Sequence, residues 1–392
     1  MRHFFPGRPT AASVLLFGSL LAPWSVPAAL ASDDAIRPSG RIYYDFARFD
    51  NDERGEPSRG HDRLRLAWLG VTGRVHGFDF RAEVDVAPTH WALRDAWISR
   101  ALGPPGLGTV AVGQMGQHFA HDEKVSANHR PVVEASLLVQ ALAAPHRVGV
   151  HWTGHHADTF WAISGGRLDR FDARAVKGRG FSARAGHAFR RGTGDLLHLA
   201  ASAMHEHHRH PGTGGAAPLR VAVRPAGYFS HRPAFVLADY RDGRDVRARK
   251  HGLEAAGVHG AWTWQAEYAR GRYDDGVRRD RVAAHYLMAA WLLTGEVRPY
   301  DAGSGHFSQL QPRSPRGAWE LVARYDRISA DGAGHEPRRQ LAADAWTVGV
   351  NWYPRGNVRV MLDWIDSRRH DRAGGRLLDH TGTLAGRVQW DF

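Results

Sequence analysis

The sequence predicts an all-β protein, namely a transmembrane antiparallel up-and-down β-barrel of about 16 strands that is preceded by a cleavable signal peptide. Three observations lead to this fold class. The first residues have the layout of an export signal, and no later apolar run approaches the length of a transmembrane helix. Apolar and polar residues then alternate with a period of two along much of the chain.

The amino terminus predicts a signal peptide over residues 1–31. Arg2 and Arg8 give it a basic start, residues 11–22 are mostly apolar, and Ala29-Leu30-Ala31 has the small-x-small form of a cleavage site. The alternative is an N-terminal membrane helix, which the shortness of the apolar run disfavours. Cleavage after Ala31 removes two Arg, so the formal net charge falls from +12 to +10.

The alternation predicts strands with one apolar and one polar face. In 78–86 the apolar residues Phe78, Phe80 and Val84 alternate with charged ones, and 262–268 repeats the pattern with Trp262 and Tyr268. A soluble sandwich would also bury an apolar face, but here the other face is unusually charged. A membrane barrel explains both faces, with lipid outside and water in the lumen.

The predicted strands cover residues 32–392 as one barrel without a further domain. They are 40–50, 63–75, 78–87, 92–100, 108–115, 146–153, 158–166, 179–189, 195–205, 251–259, 261–271, 283–294, 317–328, 342–353, 358–366 and 382–392. Connections alternate between short turns and the long polar segments 51–62, 116–145, 206–250 and 367–381, which is the asymmetry of bacterial barrels. The link 295–316 is long although it falls on the short-turn side. The last strand ends on Phe392, as outer-membrane barrels often do.

Composition limits the classes of partner. Cys is absent, Lys occurs only at Lys124, Lys177 and Lys250, and nearly all positive charge is therefore Arg. An exported Arg-rich chain suggests a nucleic-acid binder, a lipopolysaccharide-contacting surface or an anion channel. Export and the lack of recognition motifs argue against nucleic acid.

No cofactor or catalytic residue is predicted. The tract 205–210 holds four His, which could bind a transition metal, but we favour a solvated surface loop and predict no metal site.

Alternation places a set of arginines on the lumen face. Arg is suited to an anion path because it stays charged and its planar fork matches oxyanions. The candidates are Arg41, Arg65, Arg81, Arg184, Arg324, Arg359 and Arg387. The alternative is that each pairs with a lumen acid, for which the candidates are Asp45, Asp85, Glu83, Glu267, Glu320 and Asp363.

The order of motifs resembles the phosphate- and polyphosphate-selective porins of the porin O/P family over essentially the whole mature chain. The stretches that carry the resemblance are Gly40–Phe46, Arg65–Gly70, Leu93–Ala96, Val112–Gln114, Leu293–Tyr300, Gly317–Leu321, Val348–Tyr353 and Arg387–Phe392. The resemblance implies a sixteen-stranded barrel, usually a homotrimer, in the outer membrane of a Gram-negative bacterium. It also implies passive uptake of inorganic anions.

The same resemblance points to the loop 116–145 as the constriction of the pore. It suggests Lys124, His129 and Arg130 as anion-binding residues there, and Arg224 in the next long loop. Two family features differ here, because Glu134 is followed by Ala135 rather than Arg, and Arg65 is followed by Leu66 rather than a second Arg.

Three functions are therefore considered. The first is a passive anion porin for phosphate, polyphosphate or chloride, surrounded by outer-membrane lipid and lipopolysaccharide. The second is a general diffusion or organic-acid porin whose arginines and acids balance. The third, which the sequence favours least, is an outer-membrane barrel enzyme.

Overall fold

A computed structural model describes residues 35–392 except 51–59, 88–90, 105, 126, 173–175, 193, 211–218, 231–232, 241–242 and 334–338. The predicted signal peptide and its cleavage site therefore lie outside the described residues. Sixteen antiparallel strands form a closed barrel, which confirms the predicted fold class. Neither helix in the described ranges is long and apolar enough to cross a membrane.

The barrel strands follow chain order, and the last strand pairs with the first. They are β1 (Ala35–Asp50), β2 (His61–Val75), β3 (Phe78–Asp85), β4 (Ala92–Ala101), β5 (Thr109–Met115), β6 (Arg147–His156), β7 (Thr159–Arg167), β8 (Lys177–Arg191), β9 (Asp195–Arg209), β12 (Val246–His259), β13 (Trp262–Asp274), β14 (Arg279–Leu292), β17 (Ala318–Ala333), β18 (Arg339–Arg355), β19 (Val358–Asp371) and β20 (Arg376–Asp391). The other described elements are α1 (His121–Lys124), α2 (Leu137–Leu142), β10 (Leu219–Val223), β11 (Phe235–Tyr240), β15 (Tyr300–Asp301) and β16 (His306–Phe307).

Two loops are shorter in the structure than the sequence predicted. Strand β9 continues to Arg209, so His205–His208 lie on a strand and not in a surface loop as predicted; His205 is exposed and His208 buried. Likewise, β19 and β20 extend into the predicted loop 367–381 and leave only a tight turn around Gly375. In both cases the strand continues through charged and His residues. Because these residues are polar, the sequence indicated a loop there.

The barrel wall has the predicted apolar outer face and polar inner face. Along β13, Trp262, Trp264 and Tyr268 are exposed while Gln265 and Glu267 are buried. Outward tryptophans meet across strands near the short turns, as in the stacked rings of Trp262 and Trp291 with centroids 5.1 Å apart. Apolar outward faces with aromatic residues near the strand ends are typical of lipid-facing barrel walls.

The carboxyl-terminal strand closes the barrel. The backbone of Phe392 exchanges two hydrogen bonds with that of Gly40, at 2.9 and 3.0 Å. A Cβ at Gly40 would lie 2.3 Å from the Phe392 ring, so this glycine makes room for the terminal aromatic side chain. The first and last strands are therefore joined at the short-turn end, where connections such as 76–77 lie.

Three segments fold into the barrel instead of extending from it. The segment 116–146 and the β10–β11 hairpin enter from the long-loop end, and the segment 293–317 enters from the short-turn end. The first two share an apolar core, which includes Leu138 and Leu142 of α2, Val221, Tyr240 and the β13 residue Tyr273. The lumen of this barrel thus contains segments of its own chain.

Candidate functional site

Inward carboxylates hold the loop 116–145 across the lumen through its backbone. Glu267 accepts hydrogen bonds from the N–H groups of His121 and Asp122, each at 2.7 Å. Asp363 accepts one from Val133 at 2.7 Å, far around the barrel on β19. Hydrogen bonds to carboxylates are among the strongest that a protein makes. Two of the acids expected to neutralise lumen arginines therefore position this loop instead.

The short-turn segment 293–317 meets this loop inside the barrel. Arg298 is buried, pairs with Glu320 of β17 and donates to the carbonyl oxygen of His129 at 3.4 Å. The ring of Phe307 packs edge-on against that of His121 with centroids 5.3 Å apart. The long link 295–316, whose role the sequence left open, is therefore one of the inward segments.

Several predicted anion-binding arginines form buried ion pairs. Each guanidinium contacts a carboxylate at 2.6–2.8 Å, so its charge is already compensated. The pairs are Arg130–Asp122, Arg184–Glu254, Arg324–Asp326 and Arg387–Asp45. The alternative of internal pairing thus describes these four, although only the partner of Arg387 is an acid that the sequence analysis had named.

The loop acid Asp122 shows the strength of this pairing. Burial alone would raise the pKa of Asp122, but Arg130, Arg324 and the N–H of Ser136 lower that pKa to about 2. The carboxylate of Asp122 thus stays charged throughout the physiological pH range. It contacts Arg130 and also accepts a hydrogen bond from the backbone N–H of Ser136, with a nitrogen–oxygen distance of 2.9 Å.

Three further predicted residues have structural contacts of their own. Arg359 donates to the carbonyl oxygens of Arg130 at 2.7 Å and Ala127 at 3.1 Å, so it supports the loop. Arg224 donates to the carbonyl oxygen of Ser230 at 3.3 Å. Burial, with Arg359 nearby, lowers the pKa of His129 to about 3, so this imidazole is neutral at pH 7.

The remaining predicted cations lie together on the wall formed by β1–β4. We call Arg41, Arg65, Arg81, Arg94 and Trp68 the β1–β4 cluster. The guanidinium groups of Arg41 and Arg94 lie 4.4 and 4.5 Å from the Trp68 ring centroid. Such stacking holds a cation in place without cancelling its charge.

Acid contacts in this cluster are longer than in the buried pairs. Arg41 lies 3.8 Å from Glu83, and Arg81 lies 3.6 Å from Asp95. The Nε atoms of Arg65, Arg81 and Arg94 and the Nε1 atom of Trp68 have no hydrogen-bond partner among the described residues. Guanidinium N–H groups match the geometry of an oxyanion, so the arginines of this cluster are candidate contacts for one.

Lys124 lies in the lumen on α1 between the cluster and the buried pairs. Burial lowers the pKa of Lys124, with Arg184 acting in the same direction and Glu123 and Asp95 opposing it. On the facing wall, Asp95 also accepts a contact from His146 at 3.2 Å. The loop therefore brings one further cation toward the β1–β4 cluster.

Sequence reasoning missed Arg94 and the ring that supports it. The pairing of β3 with β4 shifts register between Ala82 and Val84, so simple alternation fails at this point of the wall. As a result, Arg94 reaches Trp68 although Asp95 beside it also points inward. A bulge of this kind has no reliable signal in a single sequence.

One group of side chains has the composition of a metal site. His121, His198 and Glu254 are buried, and each could supply a ligand atom, with these atoms all within 4.8 Å of one another. The carboxylate of Glu254, however, is held by Arg184 through contacts of 2.8–3.0 Å. A guanidinium cation thus occupies this carboxylate, and its charge repels a second cation.

Comparisons with known proteins agree with this architecture. A family model described as phosphate-selective porin O and P matches residues 36–392. The chain is 33% identical over 152 residues to Porin O of Pseudomonas aeruginosa, which is 36% of this chain and 34% of that protein. The matched part thus spans about a third of the curated relative.

Two solved structures share the fold. An anion-selective porin from Comamonas acidovorans has a TM-score of 0.58 at 9% identity, covering 92% of this chain and 100% of its own. The trimer form of OmpT, an outer membrane protein of Vibrio cholerae, has a TM-score of 0.59 at 10% identity, with 92% and 100% covered. At these identities the likeness concerns the fold alone. Because the family model covers every barrel strand, this chain belongs to the phosphate-selective porin O and P family.

Proposed function

We propose that the protein is an anion-preferring porin that lets phosphate, polyphosphate or chloride enter passively along the β1–β4 cluster. As a member of a porin family, it resides in the outer membrane of a Gram-negative cell. The observation that carries the proposal is the set of guanidinium and indole N–H donors without a partner among the described residues. An anion path needs fixed donors that bind firmly enough to admit an anion but weakly enough to release it.

The loop 116–145 is proposed as the constriction of this path. Its backbone is held by carboxylates of β13, β17 and β19, so the loop has a fixed position in the lumen. Lys124 extends the line of cations from the β1–β4 cluster. The buried pairs then act as supports of the loop rather than as anion-binding residues.

The partners follow from the same proposal. Inorganic anions occupy the lumen, outer-membrane lipid and lipopolysaccharide surround the wall, and three copies of the chain assemble.

Family membership favours a channel without catalysis over an enzyme. An unheated gel band and light scattering in detergent measure the number of copies, and a monomeric mass would contradict the trimer.

A general or organic-acid porin is the second candidate. It is favoured by one observation, namely that Arg130, Arg184, Arg324 and Arg387 are neutralised by acids. In that case the lumen field would be close to balanced, and phosphate would not compete with chloride.

Planar-bilayer recording separates the two candidates. We expect a reversal potential in a salt gradient that favours chloride over potassium, and a chloride current that millimolar phosphate blocks. Arg65→Ala is expected to weaken the block because it removes a donor from the β1–β4 cluster. The matched control is Arg74→Ala, on the same strand, which removes an exposed Arg paired with Asp79 at the short-turn end.

Three outcomes decide the proposal. A phosphate block that Arg65→Ala weakens and Arg74→Ala leaves unchanged supports it. Chloride preference without any phosphate block retains the anion channel but rejects the phosphate site. Cation preference in the unmodified protein rejects the anion channel and favours the general porin.

A further inference from the structure

A row of cations crosses the outer wall of the barrel near its long-loop end. The register pairs His205 of β9 with Arg249 of β12, Arg249 with Arg272 of β13, and Arg272 with Arg281 of β14. All four side chains are exposed on the outward face. We call these four residues the outer cationic row.

The register of this row places like charges side by side. Directly opposite like charges destabilise a sheet. Among the described residues, none of Arg249, Arg272 and Arg281 has an ion pair. The register pairs Arg281 with Asp331 of β17, but this acid already has a contact of 2.8 Å with Arg372.

Two acids lie along the upper edge of the row, on the side of the long loops. Asp274 contacts Arg279 at 2.7 Å, and Asp245 contacts His207 at 3.1 Å. Together with the three arginines of the row, these residues line an open groove of about 690 Å³. The groove is therefore basic at its floor and closed toward the long loops by two acid–base pairs.

The row lies at the level of lipid headgroups. On β13, Arg272 follows the exposed aromatic Tyr268 by four positions, or about 10 Å along the membrane normal for a strand tilted by about 40°. Below Tyr268 the outward side chains of β13 and β14 are apolar, including Trp264 and Leu287. Aromatic side chains mark the interface between hydrocarbon and headgroups, so the row extends just beyond it.

We propose that the outer cationic row binds the phosphate groups of the outer-leaflet glycolipid, lipopolysaccharide. The proposal rests on the outer-membrane placement proposed above, with the long loops outside, but it concerns the wall and not the lumen. Arg binds phosphate through two parallel N–H contacts, and three neighbouring arginines can hold a headgroup with more than one phosphate. The lipid is the source, rather than free phosphate, because the groove opens sideways at headgroup depth.

The test measures lipid binding by the full-length protein in detergent and in nanodiscs. A triple variant carries Arg249→Gln, Arg272→Gln and Arg281→Gln. The matched control removes the same charge from exposed arginines at the opposite, short-turn end, and its substitutions are Arg37→Gln, Arg100→Gln and Arg191→Gln. Native mass spectrometry and titration with purified lipopolysaccharide measure the affinity.

We expect the triple variant to bind lipopolysaccharide at least about tenfold more weakly than the unmodified protein and the control. Dephosphorylated lipopolysaccharide should bind the unmodified protein as weakly as intact lipopolysaccharide binds the triple variant. This second measurement does not depend on the folding of any variant. Equal binding of the triple variant or of the dephosphorylated lipid would overturn the proposal. Displacement of the lipid by micromolar inorganic phosphate would identify a free-anion site and would also overturn it.

The same variants separate this proposal from the proposed function. The triple variant should keep the conductance and chloride preference of the unmodified protein, because its changes lie outside the lumen. Loss of lipid binding with an unchanged current supports the outer cationic row. A cation-selective unmodified pore would reject the anion channel and leave the lipid result standing on its own.

Discussion

A charge placed at mid-depth on the lipid-facing wall should destabilise the barrel strongly. Leu287 on β14 is exposed, and its cross-strand neighbours are Ala266 and Tyr325. The change Leu287→Arg puts a guanidinium at this apolar position. Because no water reaches the hydrocarbon, the charge must reach toward a headgroup or remain poorly solvated.

The depth of Leu287 follows from the strand. A barrel strand rises about 3.3 Å per residue and is tilted by about 40°, which gives about 2.5 Å of depth per residue. Leu287 then lies about 10 Å above the aromatic level of Trp291 and about 5 Å below that of Tyr268, which pairs with His285 of the same strand. This position is inside the apolar band, where Arg costs up to about 2–4 kcal/mol.

Reversible unfolding in lipid vesicles measures this cost. Guanidinium titrations followed by tryptophan fluorescence give the free energy of unfolding of each variant. The matched control is Ser329→Arg on β17, which is outward-facing and pairs with Ala283, beyond the aromatic level of Tyr268, and it should cost about 0–1 kcal/mol. If Ser329→Arg lowered the free energy of unfolding as much as Leu287→Arg, the assignment of membrane depth would be refuted.

Three further predictions concern the inward segments. Gly305→Ala should free the short-turn segment and alter channel conductance, because its φ is +63° and the new Cβ would lie 2.2 Å from the Phe160 ring. Arg298→Ala should lower the free energy of unfolding by about 3–5 kcal/mol, since Glu320 is left buried without its cationic partner and with only neutral donors, Asn351 and Tyr353. The depressed pKa of Asp122 stabilises the loop by roughly 2 kcal/mol above about pH 4, and this is lost as pH falls through about 2. Current fluctuations should rise over that window, and Asp122→Asn should show them already at pH 7.

Each of these has its own control. Gly375→Ala has nearly the same φ, +61°, with nothing within 4 Å of the new Cβ, so an equal effect there would attribute the result to backbone strain alone. Arg313→Ala removes an exposed Arg from the same segment as Arg298 and should change stability little. For the acid transition, a pH profile shared by Asp122→Asn and the unmodified protein would exclude Asp122 as its cause.

The sequence by itself determined the wall of this protein. In a membrane strand the side-chain period is two and one face must be apolar, so Trp262 and Trp264 were placed outside and Glu267 inside without any tertiary information. The number of strands was predicted for the same reason, whereas the pairing of Phe392 with Gly40 was found only in the structure. Local periodicity is sufficient here because every strand has the same two environments.

Only the tertiary structure decided which lumen cations remain available. Whether an inward Arg meets an acid depends on residues distant in sequence, as with Arg387 and Asp45, which are brought together by barrel closure. The segment 293–317 could not be placed either, because its contacts with the loop 116–145 join opposite ends of the barrel. Register shifts, such as the one beside Arg94, change which side chains face inward, and they arise from the pairing of strands rather than from the alternation within one of them.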